Sequence, residues 1–182
     1  MPGLRPDVDP DGLLEYSVVY TDRALNHMSQ RFRQALCDIS SMLRQAYGAA
    51  AAVVVPGSGT FAMEAVARQF VGSAEGTGVL VVRNGWFSYR WSQILEAARP
   101  RASIAVLKAR AVSAAPQAAF APVPAQEVAQ AIRSQRPAVV FAPHVETSAG
   151  LMLPDDYLRT IADAAHEVDA LFVLDCIASG AM

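Results

Sequence analysis

From Phe32 onward, apolar side chains recur every three or four residues at Leu36, Ile39, Leu43 and Tyr47, and the stripe stops at Gly48. This spacing predicts a long helix with Ser29 as its N-cap. Beyond it the pattern changes. Five short apolar runs, "AAVVV" (51–55), "VLVV" (79–82), "SIAVL" (103–107), "AVVFA" (138–142) and "LFVL" (171–174), read as strands buried on both faces. Helical stripes separate them: Ala62, Val66 and Phe70; Phe87, Trp91, Ile94 and Ala98; Val128 and Ile132; Leu158, Ile161, Ala165 and Val168. Pro124 and Pro154 stand at helix starts, and Asp155 and Asp156 follow the second with charge suited to a helix dipole. Doubly buried strands alternating with amphipathic helices predict an α/β fold, a three-layer α/β/α arrangement around a mostly parallel sheet. The first 26 residues, rich in Pro, Gly and Asp, read as an irregular arm with a short extended piece at Tyr16–Tyr20. The Ala/Pro-rich stretch from Ala109 to Pro124 reads as a surface loop.

With 182 residues, 53% of them hydrophobic, the chain can bury a sizeable core. Its longest apolar stretches, such as Ala49–Val55, are far shorter than the roughly 20 residues a membrane span needs. The N-terminus shows no basic segment leading into an apolar one. The expectation is a soluble cytoplasmic protein with no membrane partner. A net charge of -2 and no Lys/Arg cluster give no general attraction to nucleic acid. Two cysteines, Cys37 and Cys176, make no disulfide framework and fit a reducing compartment. The chain contains one lysine, Lys108, which limits any chemistry that needs an amine.

In an open α/β sheet, ligands bind beyond the carboxyl ends of the strands. The segments there are "PGSGT" (56–60), "RNGWF" (83–87), "PHVETSAG" (143–150) and "DCIAS" (175–179). In the first, Ser58, Gly59 and Thr60 would present backbone N–H groups and two hydroxyls at a helix start, a phosphate cradle. A plain strand-to-helix turn reads the same way. So does a loose dinucleotide fingerprint, Gly57-x-Gly59-x-x-Ala62, with Glu75 as a ribose-binding acid. Asp175, ending an apolar strand, needs a cation or several donors to offset its desolvation. A pyridinium nitrogen would serve, and so would a local turn or solvent. Trp86 or Phe87 offers an aromatic face, and Thr147 or Ser148 a hydroxyl. His27, His144, His166 and the pair His144-x-Glu146 show no metal-ligand spacing, so no metal site is expected. Ser58 lacks the spacing of a hydrolase nucleophile, and Cys176 reads as a small packing residue.

Taken in order, "GSGTFAMEAVARQF", "VVRNGWFSYRW", "HVETSAG" and "LFVLDCIAS" resemble the class V aminotransferases among fold-type I pyridoxal phosphate enzymes. The branch most similar contains alanine/serine–glyoxylate and aminoethylphosphonate–pyruvate transaminases. The resemblance runs from about Asn26 and implies that residues 27–182 are the N-terminal part of an incomplete cofactor-binding large domain, without the C-terminal small domain. By position it implies that Ser58, Gly59 and Thr60 hold the phosphate of pyridoxal 5'-phosphate and that Phe87 stacks on the ring. Thr147 would bond the phenolic oxygen, Asp175 the ring nitrogen, and Ile177 would pack on the opposite face. It further implies transfer of an amino group from an amino acid donor to a small 2-oxo acid such as pyruvate or glyoxylate, by a homodimer when the enzyme is full length. The family's Schiff-base lysine lies downstream of the Asp, past Met182, so the chain as given is expected to be inactive alone. An NAD(P)-binding Rossmann oxidoreductase and a non-catalytic truncated product are the alternatives.

Overall fold

The computed structural model describes residues 30–72 and 76–180. The N-terminal arm with its extended piece, Ser29, His27 and Glu75 lie outside the described residues. Two compact units divide at Val55 and Pro56.

In the first unit the predicted helix is present as α1 (Gln30–Tyr47), ending just before Gly48. Its apolar stripe is exposed at Leu36, Ile39, Met42, Leu43 and Tyr47. The strand expected at 51–55 is a correction: these residues form no strand, and Val53 is 82% exposed. A run of β-branched residues favours an extended backbone, but a strand also requires a neighbour's N–H and C=O groups. Among the described residues none is paired with it. The Ser40 hydroxyl instead donates to the Ala52 carbonyl at 3.2 Å.

The second unit carries the expected three layers. Helix α2 (Gly59–Phe70) leads into β1 (Gly78–Arg83), α3 (Trp86–Ala98) and β2 (Ser103–Lys108). After α4 (Ala125–Gln135) comes β5 (Val139–Pro143), and after α5 (Asp155–His166) comes β8 (Leu171–Asp175). The four long strands form one parallel sheet in the order β2-β1-β5-β8. The chain leaves β1 toward β2 on one side and returns as β5 on the other, which makes the β1/β5 boundary the point where ligand sites form in such sheets. The stretch expected to be a plain loop contains a minimal antiparallel pair, β3 (Arg110–Ala111) with β4 (Phe120–Ala121). Beyond β5, a small hairpin joins β6 (Val145–Glu146) to β7 (Leu151–Met152).

Strand alternation divides the core in two. Val79, Val81, Val139 and Phe141 pack with Ala67 and Val71 at the end of α2 and with Trp91 and Leu95 of α3. Leu80, Val82, Val140 and Ala142 face α4 and α5 through Val128, Ile132, Ile161 and Ala165. Trp91 stacks on Phe141, ring centroids 4.4 Å apart, and so anchors α3 to the central strand. On the other face the Tyr157 hydroxyl donates to the Val123 carbonyl at 2.7 Å. Burial, with Glu127 nearby, pushes that phenol up to about 12. No helix among the described residues is long and apolar enough to cross a membrane.

Candidate functional site

The turn before α2 has Gly57 at φ 136°, a conformation side chains rarely adopt, so the chain can reverse there only because Cβ is missing. Ser58 is the N-cap residue, yet its side chain makes no capping bond, and the first turn of α2 holds no acidic residue. The helix's own first turn therefore places no carboxylate on the positive end of its dipole.

That helix start lines a cavity of about 470 Å³. Ser58, Gly59 and Thr60 contribute one part of the wall, Phe87, Arg90 and Trp91 of α3 another, and Val173 to Ile177, from the end of β8, a third. Ile177 lies so close over Gly59 that an added Cβ would sit 2.5 Å from its Cδ1. Met63, Val66, Trp91 and Val173 make the wall largely apolar. Two ionic groups interrupt it. Arg90 Nη1 donates to Thr60 Oγ1 at 2.6 Å. Asp175, half-buried, accepts the Ile177 N–H at 3.2 Å. The next residue, Cys176, is held as a neutral thiol: burial pushes it up, a Ser179 hydrogen bond opposes this, and Asp175 adds to the rise.

Helix α3 begins in the opposite way. Glu146 of β6 is 0% exposed and accepts from the Phe87 N–H at 3.1 Å, the Ser88 N–H at 2.8 Å and the Ser88 hydroxyl at 2.6 Å. Ser148 donates its hydroxyl to Glu146 and accepts the Trp86 N–H at 2.8 Å. Ser88 Oγ also accepts the N–H groups of Asn84 at 2.9 Å and Gly85 at 3.1 Å. The Trp86, Phe87 and Ser88 N–H groups are thus satisfied from the β6–β7 hairpin, and a carboxylate sits on the helix dipole. The approach depends on Gly85, where a Cβ would fall 2.5 Å from Ser148 Oγ and 2.7 Å from Glu146 Cγ. Burial pushes the Glu146 carboxyl up, but the bonds from Ser148, Ser88 and Phe87 outweigh it and hold the acid below the usual carboxylate value.

Of the residues predicted from sequence, Ser58, Gly59, Thr60, Phe87, Asp175 and Ile177 line the same cavity. Thr147 does not line it, and lies exposed in the β6–β7 turn. Between the two aromatics, Phe87 lines the cavity, whereas Trp86 is 62% exposed and leans on Tyr89 at 6.0 Å. Lys108 is exposed at the end of β2 and does not line it. His144 Nδ1 lies 2.7 Å from Ser179 Oγ, tying the segment after β8 to β5. Among the described residues no group of three His, Cys, Asp or Glu side chains is placed to hold a metal.

Sequence reading missed Glu146 and Arg90. For Glu146 the signal was an acid with hydroxyl neighbours directly after a buried strand, facing a Gly85 that makes room. Arg90 lies three residues after Phe87, hence on the same helix face. The dinucleotide reading loses its structural context, because residues 51–55 supply no strand ahead of the glycine turn.

No protein-family model matches the sequence, and a search of curated proteins finds no match. Solved structures do match. A ureidoglycine–glyoxylate aminotransferase from Bacillus subtilis superposes with a TM-score of 0.69 at 22% identity, over 96% of this chain and 40% of that one. An alanine–glyoxylate aminotransferase from Nostoc sp. gives 0.68 at 24% identity, over 85% and 38%. An aspartate aminotransferase of subgroup IV from Thermus thermophilus gives 0.66 at 26% identity, over 85% and 40%. The chain has the fold of part of these aminotransferases' chains and spans about 40% of their length.

Proposed function

We propose that this chain is the N-terminal, cofactor-binding part of a pyridoxal 5'-phosphate-dependent aminotransferase that moves an amino group from an amino acid to a small 2-oxo acid such as pyruvate or glyoxylate. The observation that carries this reading is one largely apolar cavity whose wall contains an uncapped helix start, an arginine and a strand-end aspartate. A flat ring with an anionic tail and a cationic nitrogen matches that combination of groups. The named activities of the superposing structures agree with it.

When bound, the cofactor supplies an electron sink for exchange of the amine. The protein's part is binding and proton placement. Ser58, Gly59 and Thr60 give N–H and hydroxyl donors to the phosphate. Phe87 and Ile177 bracket the ring and exclude water from it. Asp175, as a carboxylate, holds a proton on the ring nitrogen. Thr147, in the turn beside Ser148, is the hydroxyl offered to the phenolic oxygen. The essential amine is taken to come from a lysine outside residues 1–182, since Lys108 stands away from the cavity wall.

In this reading the full-length enzyme is a homodimer in the cytoplasm. The exposed apolar stripe of α1 supports assembly, and two free cysteines fit a reducing compartment. Equilibrium dialysis against pyridoxal 5'-phosphate and against NAD tests the cofactor assignment. Binding of the first with no binding of the second is expected, and weakened by Asp175→Asn. Tight NAD binding without pyridoxal phosphate binding would overturn the proposal.

A further inference from the structure

We propose that Arg90 is a further phosphate-binding residue of this cavity, acting both as a cation and as the group that aims the Thr60 hydroxyl. The inference rests on the cofactor reading above and names a residue which that reading does not require.

Arg90 is half-buried and lines the cavity, yet no carboxylate pairs with it among the described residues. The ion pairs there are Arg68 with Glu64, Arg110 with Glu127 and Arg133 with Glu167. Glu64, which lines a neighbouring depression together with Arg90, is already engaged by Arg68 at 2.7 Å. A partly desolvated guanidinium without a counter-ion is costly unless an anion arrives to offset it. One N–H is used on Thr60, and the rigid fork keeps further donors for a second acceptor.

The Thr60 hydroxyl, oriented by the same bond, points to the same ligand. A threonine Oγ1 has one proton to donate and lone pairs to accept. Because Thr60 accepts from Arg90 at 2.6 Å, its own proton must point elsewhere, and it donates no side-chain hydrogen bond among the described residues. Thr60 stands in the first turn of α2, where no acid and no side-chain cap supplies a negative group. An arriving phosphate group would receive, shared among its oxygens, the Thr60 proton, the N–H groups of Gly59 and Thr60 and the remaining Arg90 donors.

The test compares pyridoxal 5'-phosphate with pyridoxal, which has the ring and lacks the phosphate, on the intact chain and on Arg90→Gln, Thr60→Val and the double variant. Arg90→Gln is expected to weaken pyridoxal phosphate by roughly ten- to a hundredfold, the range for losing a hydrogen bond to a charged group, and to change pyridoxal less than about twofold. Because Arg90 acts partly through Thr60, the double variant should lose much less than the product of the two single losses. Should Arg90→Gln fail to fold, Arg90→Lys keeps the charge without the fork and should still weaken only the phosphorylated ligand. Equal weakening of both ligands, or no weakening of either, would overturn the role of Arg90 while leaving the cofactor reading standing. If the unaltered chain binds neither ligand, the cofactor reading fails and this inference with it.

Discussion

Helices α2 and α3 both begin beside the carboxyl ends of strands, and the chain finishes only one of them. At α3, Glu146 and Ser148 satisfy the Trp86, Phe87 and Ser88 N–H groups and place a buried carboxylate on the helix dipole. At α2 the N-cap serine makes no capping bond, no acid stands in the first turn, and an arginine without a carboxylate partner lies alongside. One helix start is complete without a ligand. The other has donors and positive charge to spare, and it opens on the cavity. The difference separates structure from the proposed binding: α3's cap fixes where Phe87 stands, and α2's uncapped start is where the proposed phosphate would sit.

Damage to the two helix starts should register in different experiments. The largest effect on stability should come from Glu146→Ala, which strands the Phe87 and Ser88 N–H groups without acceptors. Urea unfolding should show a loss of about 3 kcal/mol. Gly85→Ala should follow at about 1–3 kcal/mol, because its methyl needs the space that Ser148 and Glu146 occupy. Its backbone, at φ 176°, is extended and carries no strain of its own, so the whole cost is crowding.

A smaller, pH-dependent effect sharpens the same point. The Glu146 carboxyl is held below its usual value of 4.5 in the folded chain. Its contribution is therefore fully present above about pH 4.5 and is lost as the pH falls through the depressed folded value. Glu146→Gln should remove this component, so that stability measured from pH 6 to pH 3 falls less steeply than in the unaltered chain. At α2 the expected change in stability is smaller still. Thr60→Val should shift unfolding by less than about 0.5 kcal/mol, as for a site without a structural bond of its own to lose beyond that with Arg90.

The sequence made the second unit's scaffold readable because each strand is apolar on both faces and each helix carries a clean stripe. The strands at 79–82, 103–107, 138–142 and 171–174 all occur within a residue or two of the expected bounds. Residues 51–55 failed because composition reports a preference for extended backbone and not the presence of a pairing neighbour. In the cavity, the strand-end rule brought out Ser58, Gly59, Thr60, Phe87, Asp175 and Ile177, all of which follow a strand or open a helix. Arg90 was hidden because it sits inside a helix, where a charge ordinarily signals a solvated face. Glu146 was hidden because its importance comes from N–H groups 58 and 59 residues away, which no local pattern records. Of the two hydroxyls read from the sequence, Thr147 and Ser148, the second is bonded to Glu146 and to the Trp86 N–H.

The most direct test of the contrast gives α2 the kind of group that α3 already has. Ser58→Asp places a carboxylate at the N-cap, where it should stabilise the helix by about 0.3–1 kcal/mol through the dipole. The same charge would occupy the position claimed for the phosphate. Pyridoxal phosphate affinity and urea stability, measured side by side on this variant, should show binding lost while stability is unchanged or raised. Retention of unaltered pyridoxal phosphate affinity by Ser58→Asp would contradict the assignment of this helix start to the cofactor.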